Sequence, residues 1–240
     1  MNTTHRPASR RRKFLLLGFL IGIVPVALFF LRTGKHTFVV LPYYGERELI
    51  GPGDTLYHTV PPFAFLDQDS NLVTDESTKD RILVVDFFFT TCKSICPRMS
   101  KEMQQLQFKL SDKAYNDVLF LSHTVDPEHD TPPVLKEYAR KLEADTARWK
   151  FLTGEAPTIY RQGNLGYLLS AMRDSTSAEQ FVHSPNFVLV DKRKHIRGIY
   201  DGTRTSSVDS LASDIKMLIA EEKRRKRERA NAEKQAAALQ

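Results

Sequence analysis

The sequence predicts an α/β fold in which helices pack on a mixed central sheet, and three observations carry that reading. The stretch "RILVVDFFFT", residues 81–90, is a nearly unbroken β-branched and aromatic run, the pattern of a strand buried on both faces. Strand-like and helix-like segments then alternate through "MSKEMQQLQFKLSD", "DVLFLSHTVD", "TPPVLKEYARKLEAD" and "WKFLTG". The chain closes with a hairpin pattern, "NFVLVDKRKHIRGIYDG", and a terminal amphipathic helix. At 240 residues there is room for one domain of roughly 150–180 residues with appendages.

The elements follow in chain order. "FLLLGFLIGIVPVALFFL", residues 14–31, carries no charge and as a helix would be about 27 Å long, close to the thickness of a bilayer's hydrocarbon core. Pro25 lies within it, which a membrane helix tolerates. The run exceeds a signal-peptide core and no small-x-small cleavage site follows, so a retained signal anchor is expected. Arg6, Arg10, Arg11, Arg12 and Lys13 precede it, against Arg32 and Lys35 after it, which keeps residues 1–13 cytoplasmic and the rest on the far side. Thirteen residues are short for a mitochondrial targeting sequence, so a bacterial inner membrane with a periplasmic domain is expected.

Residues 32–60, rich in Gly, Pro and Tyr, are read as a tether, and residues 61–220 as the domain. "FAFLDQDSNLVT" has hairpin alternation around Asp67–Asn71. Met99, Met103, Leu106 and Leu110 recur at helical spacing; Thr131 is placed to cap the next helix, with prolines in its first turn. A weaker helix is expected at about 157–171. The last helix loses its apolar face near Ile219, and residues 221–240 are read as a charged helical tail.

The formal net charge of +6 does not point to nucleic acid. The excess sits in the N-terminal arm and in "KRRKRER" at 223–229, the middle is nearly balanced, and no nucleic-acid motif is present.

Both cysteines of the chain lie in "FFFTTCKSICPRMS", residues 87–100, directly after the central strand and before a helix. In such sheets the reactive site lies beyond the carboxyl ends of the parallel strands, which is where Cys92 falls. Pro97 suits a first helical turn, so Cys96 is placed at the helix N-terminus, where unpaired N–H groups favour a thiolate. A structural disulfide across three residues closes too small a loop to constrain much. Disulfide exchange and metal binding both remain open, since residues four apart at a helix start share a face.

Two thiolates are incomplete for most metals, so a third ligand is sought among the histidines. His5 is on the cytoplasmic side, His36 and His58 lie in the tether, and His195 falls in a charged turn and is expected to be solvated. His183 in "QFVHSPNF" is the strongest candidate, on a loop leading into a strand near the cysteine end; His123, at the end of the second strand, and His129, beside Asp130, follow. Two soft thiolates and one imidazole suit copper, including Cu(I), better than the closed four-ligand cage of structural zinc.

These residues resemble the Sco/SenC family of membrane-anchored copper chaperones. The resemblance runs from about Pro61 to Leu218 and rests on "FFFTTCKSICPRMS", "LSHTVDPEHDTPPVLKEYA", "WKFLTG" and "HSPNFVLVDKRKHIRGIYDGT" in the family's order. It implies a thioredoxin-like fold, copper held by Cys92, Cys96 and His183, and delivery of copper to, or reductive preparation of, the dinuclear copper centre of cytochrome c oxidase subunit II. It also implies a tuning or recognition role for Asp126, whose plainer reading is a turn residue or helix cap. Met99 matches a family position, but a methionine at helical spacing is read first as core.

Lys93 makes the inter-cysteine stretch more basic than the family pattern, His123 is an addition near the site, and the basic residues beyond Ile219 are unusual. The competing reading is a thiol-disulfide oxidoreductase acting on a partner's cysteines. Because oxidised cysteines cannot hold copper, a chaperone in an oxidising compartment needs a reductant, and a separate thiol-reducing partner is expected.

Overall fold

The computed structural model describes residues 18–19, 22–23, 25–26, 40–51, 54–173 and 181–237. The chain divides into two compact units, Met1–Val39 and Val40–Gln240. Most of the expected membrane helix, residues 14–31, lies outside the described residues, and its six described positions are helical and exposed. Among the described residues no helix is long and apolar enough to cross a membrane.

The second unit is built on β5 (Ile82–Phe88), the strand expected at 81–90, in which every residue is buried. Its parallel partner is β6 (Val118–Thr124), which pairs in turn with β7 (Trp149–Leu152). On its other side β5 pairs antiparallel with β10 (Asn186–Val190), and β10 with β11 (Ile196–Asp201), giving the mixed order β11-β10-β5-β6-β7. The two parallel steps need crossovers, and helices α1 (Cys96–Lys109) and α2 (Pro132–Lys141) supply them.

One face of the sheet carries α1, α2 and the C-terminal helix α4 (Thr205–Ala237). Ser100 and Tyr138 hydroxyls meet at 2.8 Å between α1 and α2, and Thr205 donates to Glu102 at 2.6 Å between α4 and α1. Met99, Met103 and Leu106 of α1 are buried, as are Leu211, Ile215 and Leu218 of α4. Each such side chain contributes about 1.5–3 kcal/mol by leaving water.

The other face carries the hairpin β3 (Ala64–Leu66) and β4 (Leu72–Thr74), with α3 (Ala156–Arg161). Asp67 closes the hairpin turn by accepting from the backbone N–H groups of Asp69 and Asn71, both at 2.9 Å. The helix expected at about 157–171 is cut short: α3 ends at Arg161, passes into one π-helical turn, Gln162–Gly166, and the chain becomes extended at Ala171. Gly163 explains part of this, because a Cβ there would stand 2.8 Å from Ala171 Cβ and 3.0 Å from the Phe87 ring.

Two hairpins lie where none was expected. Strands β8 (Ala171–Arg173) and β9 (Phe181–His183) pair antiparallel, with Ala171 opposite His183. Within the expected tether, β1 (Arg47–Gly51) pairs with β2 (Asp54–Tyr57), and the second unit begins at Val40. Leu41 and Val60 are buried, and Tyr44 and Val60 N–H groups bond to the Ile196 and Lys194 carbonyls at 3.0 and 2.8 Å.

A buried charge cluster fixes that segment. Arg197 is fully buried and donates to Asp191 (3.1 Å), to Glu221 (3.0 Å) and to the Leu41 carbonyl (2.6 Å), with its guanidinium 4.2 Å over the Tyr43 ring. Burying a guanidinium is tolerable only with such complete pairing.

Candidate metal centre

Strand β5 ends at Phe88, and the chain turns so that the Cys92 N–H bonds to the Phe89 carbonyl at 3.2 Å. Helix α1 starts at Cys96 with Ile95 as N-cap; Ile95 offers no side-chain acceptor, and Pro97 sits in the first turn. A helix start without a side-chain cap leaves donors for another acceptor.

His183 arrives from the far side of the sequence on β9. Its Nε2 lies 3.1 Å from Cys96 Sγ, and its Nδ1 donates to the Ser184 carbonyl at 3.2 Å. That second bond turns the Nε2 lone pair toward the sulfurs, the arrangement typical of a ligating imidazole. Phe89 packs edge-on against the ring at 5.8 Å.

Cys92 and Cys96 are not joined by a disulfide, and the donor atoms of Cys92, Cys96 and His183 all lie within 4.8 Å of one another. All three residues are buried, with Cys96 the deepest at 1% exposure, against 7% for Cys92 and 8% for His183. The pair shares its protons unevenly. The Cys96 thiol, helped by the His183 ring, the Cys96 backbone N–H and the Ser94 hydroxyl, brings the Cys92 pKa down to about 3 against the opposing effect of burial. Cys96 is pushed far up by its bond to Cys92 and by burial. Cys92 is the thiolate, and Cys96 keeps the proton that it shares with Cys92.

The approach loop is tied down by Asp130, which is fully buried. It accepts from the Thr90 N–H (3.0 Å), from the Thr90 hydroxyl, from the Thr124 hydroxyl (2.5 Å), and it meets His129 Nδ1 at 2.8 Å. One carboxylate thereby joins the end of β6, the start of α2 and the residue two before Cys92. The sequence reading passed over it, although it stands within "VDPEHD". Beneath the site Asp86 is buried, accepts from Ser122 at 2.5 Å, and has its pKa raised by burial to about 6; Ser122 in turn accepts from Trp149 Nε1 at 2.8 Å.

The other sequence candidates go elsewhere. His123 is not part of the three-residue group: its ring stacks on Phe87 at 5.1 Å and meets Phe65 edge-on at 5.1 Å, and both nitrogens are buried without a hydrogen-bond partner. Burial alone brings its pKa down to about 3, so it is neutral. Asp126 forms a turn, its carbonyl accepting from the His129 and Asp130 N–H groups at 3.2 and 2.8 Å. Its pKa is raised by burial and then by Asp130. Met99 is a core residue at 1% exposure. His195, expected in solvent, is 14% exposed and packs edge-on against Tyr43 at 5.3 Å. His58 reaches the Gly166 carbonyl at 2.9 Å.

Two thiols and one imidazole with converging donors form a soft set that fits copper, and three ligands leave room for a further one. Comparison with known proteins agrees with this geometry. Residues 53–220 match the family described as SCO1/SenC. A SCO1/SenC family lipoprotein from Bacillus anthracis str. Ames superposes with a TM-score of 0.62 at 28% identity, over 67% of this chain and 94% of that one. BsSco, described with a disulfide switch as a member of the Sco family of cytochrome c oxidase assembly proteins, gives 0.61 at 32% identity, over 68% and 94%. Bradyrhizobium japonicum ScoI with copper bound gives 0.56 at 23% identity over 67% and 99%, a likeness of fold. With the match running over residues 53–220 and the three donors brought together at the end of the central strand, the chain belongs to the SCO1/SenC family.

Proposed function

We propose that the chain is a membrane-anchored copper chaperone that binds one copper ion through Cys92, Cys96 and His183. It delivers the ion to, or prepares, the dinuclear copper centre of cytochrome c oxidase subunit II. The observation that carries this reading is the convergence of two soft sulfur donors and one imidazole nitrogen within 4.8 Å. Two thiolates and a neutral imidazole give net charge −1 with Cu(I) and zero with Cu(II), both tolerable at a helix N-terminus.

Transfer needs an open side. Cys96 is the inner ligand, while Cys92 and His183 form the more accessible edge, so an acceptor thiol or imidazole enters there as the fourth ligand before the donors let go. Support for the acceptor comes from BsSco's membership of a family of oxidase assembly proteins, and for anchoring from the lipoprotein relative and the uncharged run at 14–31. Titration of the reduced protein with Cu(I) tests the reading. One equivalent bound by the wild type and a large loss of affinity in His183→Ala support it; no stoichiometric binding contradicts it.

The second reading, a thiol-disulfide oxidoreductase, is favoured by one observation: Cys92 is a ready thiolate beside a protonated thiol, the state that attacks a partner disulfide. His183→Ala separates the two, because exchange does not require the imidazole. A thiol-reducing partner serves both readings by keeping the pair reduced.

A further inference from the structure

The family match ends at residue 220, but helix α4 continues without a break to Ala237, and from Lys226 onward every described residue of it is exposed. This extension opens with Glu221 and Glu222 and continues with "KRRKRER", in which Glu228 is the sole acid. Nothing in the metal centre uses it.

Its position is set by the buried cluster around Arg197. Glu221 accepts from both Arg197 and Arg225, and Arg225 donates to the Tyr43 hydroxyl at 2.9 Å. Arg193, in the β10–β11 turn, donates to the same hydroxyl at 2.7 Å. The first segment of the second unit is thus one hydrogen bond from the middle of the basic run. Leu41 follows the end of the uncharged stretch by ten residues, a reach of at most about 35 Å. Six basic side chains, among them Lys192, Arg193, Lys226 and Arg229, line one groove at this pole, with Asp80, Asp117, Glu222 and Glu233 as partial counter-charges.

This pole is opposite the metal centre. Val190 pairs with Leu83 and Val188 with Val85, so the β10–β11 turn lies at the beginning of β5, whereas Cys92 follows its end. Seven strand residues separate the two poles by roughly 23 Å.

We propose that the basic face formed by the α4 extension and the β10–β11 turn docks on the anionic headgroups of the bilayer, holding the domain with Cys92, Cys96 and His183 directed away from the membrane. The occupant is a lipid surface because the basic run is fastened to the segment that leads to the expected anchor, and because the exposed extension is cationic rather than apolar. The inference rests on the anchored reading above but is tested without the anchor, so the two can fail separately.

Residues 40–240, which contain the whole described core, are mixed with vesicles of phosphatidylcholine alone or with 30% phosphatidylglycerol in 0.1 M salt. Binding is expected only to the anionic vesicles and is lost in 0.5 M salt. Replacing Lys223, Lys226, Arg227 and Arg229 by Gln, while sparing Arg225, weakens partitioning by nearly three orders of magnitude, at roughly fivefold per charge. The variant keeps its thermal transition and its copper stoichiometry. Hydrogen exchange on the vesicle should slow at 190–196 and 223–230 and stay unchanged at 91–97. Equal binding to neutral vesicles, no binding to anionic ones, an unchanged Gln variant, or protection at 91–97 instead would each overturn the proposal.

Discussion

His183 Nε2 stands 3.1 Å from Cys96 Sγ although 87 residues separate them along the chain. The contact exists because Cys96 starts the helix after the central strand, while His183 ends a short strand paired to Ala171. The imidazole is held from behind by the Ser184 carbonyl, so its free nitrogen faces the thiols before any metal arrives.

The proton held by Cys96 gives copper binding a pH dependence. With Cys92 already a thiolate and Cys96 pushed well above the ordinary thiol range, one proton must leave when both sulfurs ligate. Affinity should therefore fall about tenfold for each unit the pH drops between 8 and 6.5, with one proton released per copper. Competition titrations with a Cu(I) chelator across that range measure the slope; a flat profile contradicts the shared proton.

Asp130 should act on the site without touching copper. Asp130→Ala strips the acceptor from Thr90, Thr124 and His129, and is expected to cost about 3 kcal/mol in denaturant unfolding. Loosening the loop two residues ahead of Cys92 should also weaken copper binding by about tenfold or more, with stoichiometry unchanged.

Asp86 should make the protein more stable on the acid side of neutrality. Its folded-state pKa of about 6 lies above the ordinary 3.8, so its contribution is fully present below about pH 4 and is lost as pH rises through 6. The loss is on the order of 3 kcal/mol. Asp86→Asn, which still accepts from Ser122, should not show this decline, and the stability gap between variant and wild type should grow from pH 4 to 6 and then level off.

His123→Phe separates a core residue from a group that supports the metal. Both ring nitrogens are buried and unbonded among Phe65, Phe87 and Tyr167, so an apolar ring is expected to be neutral or to stabilise by up to about 2 kcal/mol. Copper affinity should not change; a tenfold loss would give His123 a role at the site.

These residues also show where the sequence was informative. The central strand was legible because "ILVVDFF" has no polar alternation, and Cys96 at a helix start followed from Pro97. The hairpin that carries His183 was not, since β8 and β9 are three residues each and too short to show a period. Asp130 was missed because its value lies in four contacts to three residues, Thr90, Thr124 and His129, which local composition does not reveal. Residues 40–60 read as a tether through their Gly, Pro and Tyr content, while their attachment depends on Arg197, which is far away in sequence. His123 carried the opposite risk, since a histidine near a strand end suggests chemistry until its aromatic surroundings are known.

The most direct test of the copper site is X-ray absorption at the copper edge on the Cu(I)-loaded protein and on His183→Ala. A first shell of two sulfurs and one nitrogen in the wild type, with the nitrogen lost in the variant, is the expected result. A shell without nitrogen, or a nitrogen that persists after His183 is removed, would contradict the assignment of Cys92, Cys96 and His183 as the copper ligands.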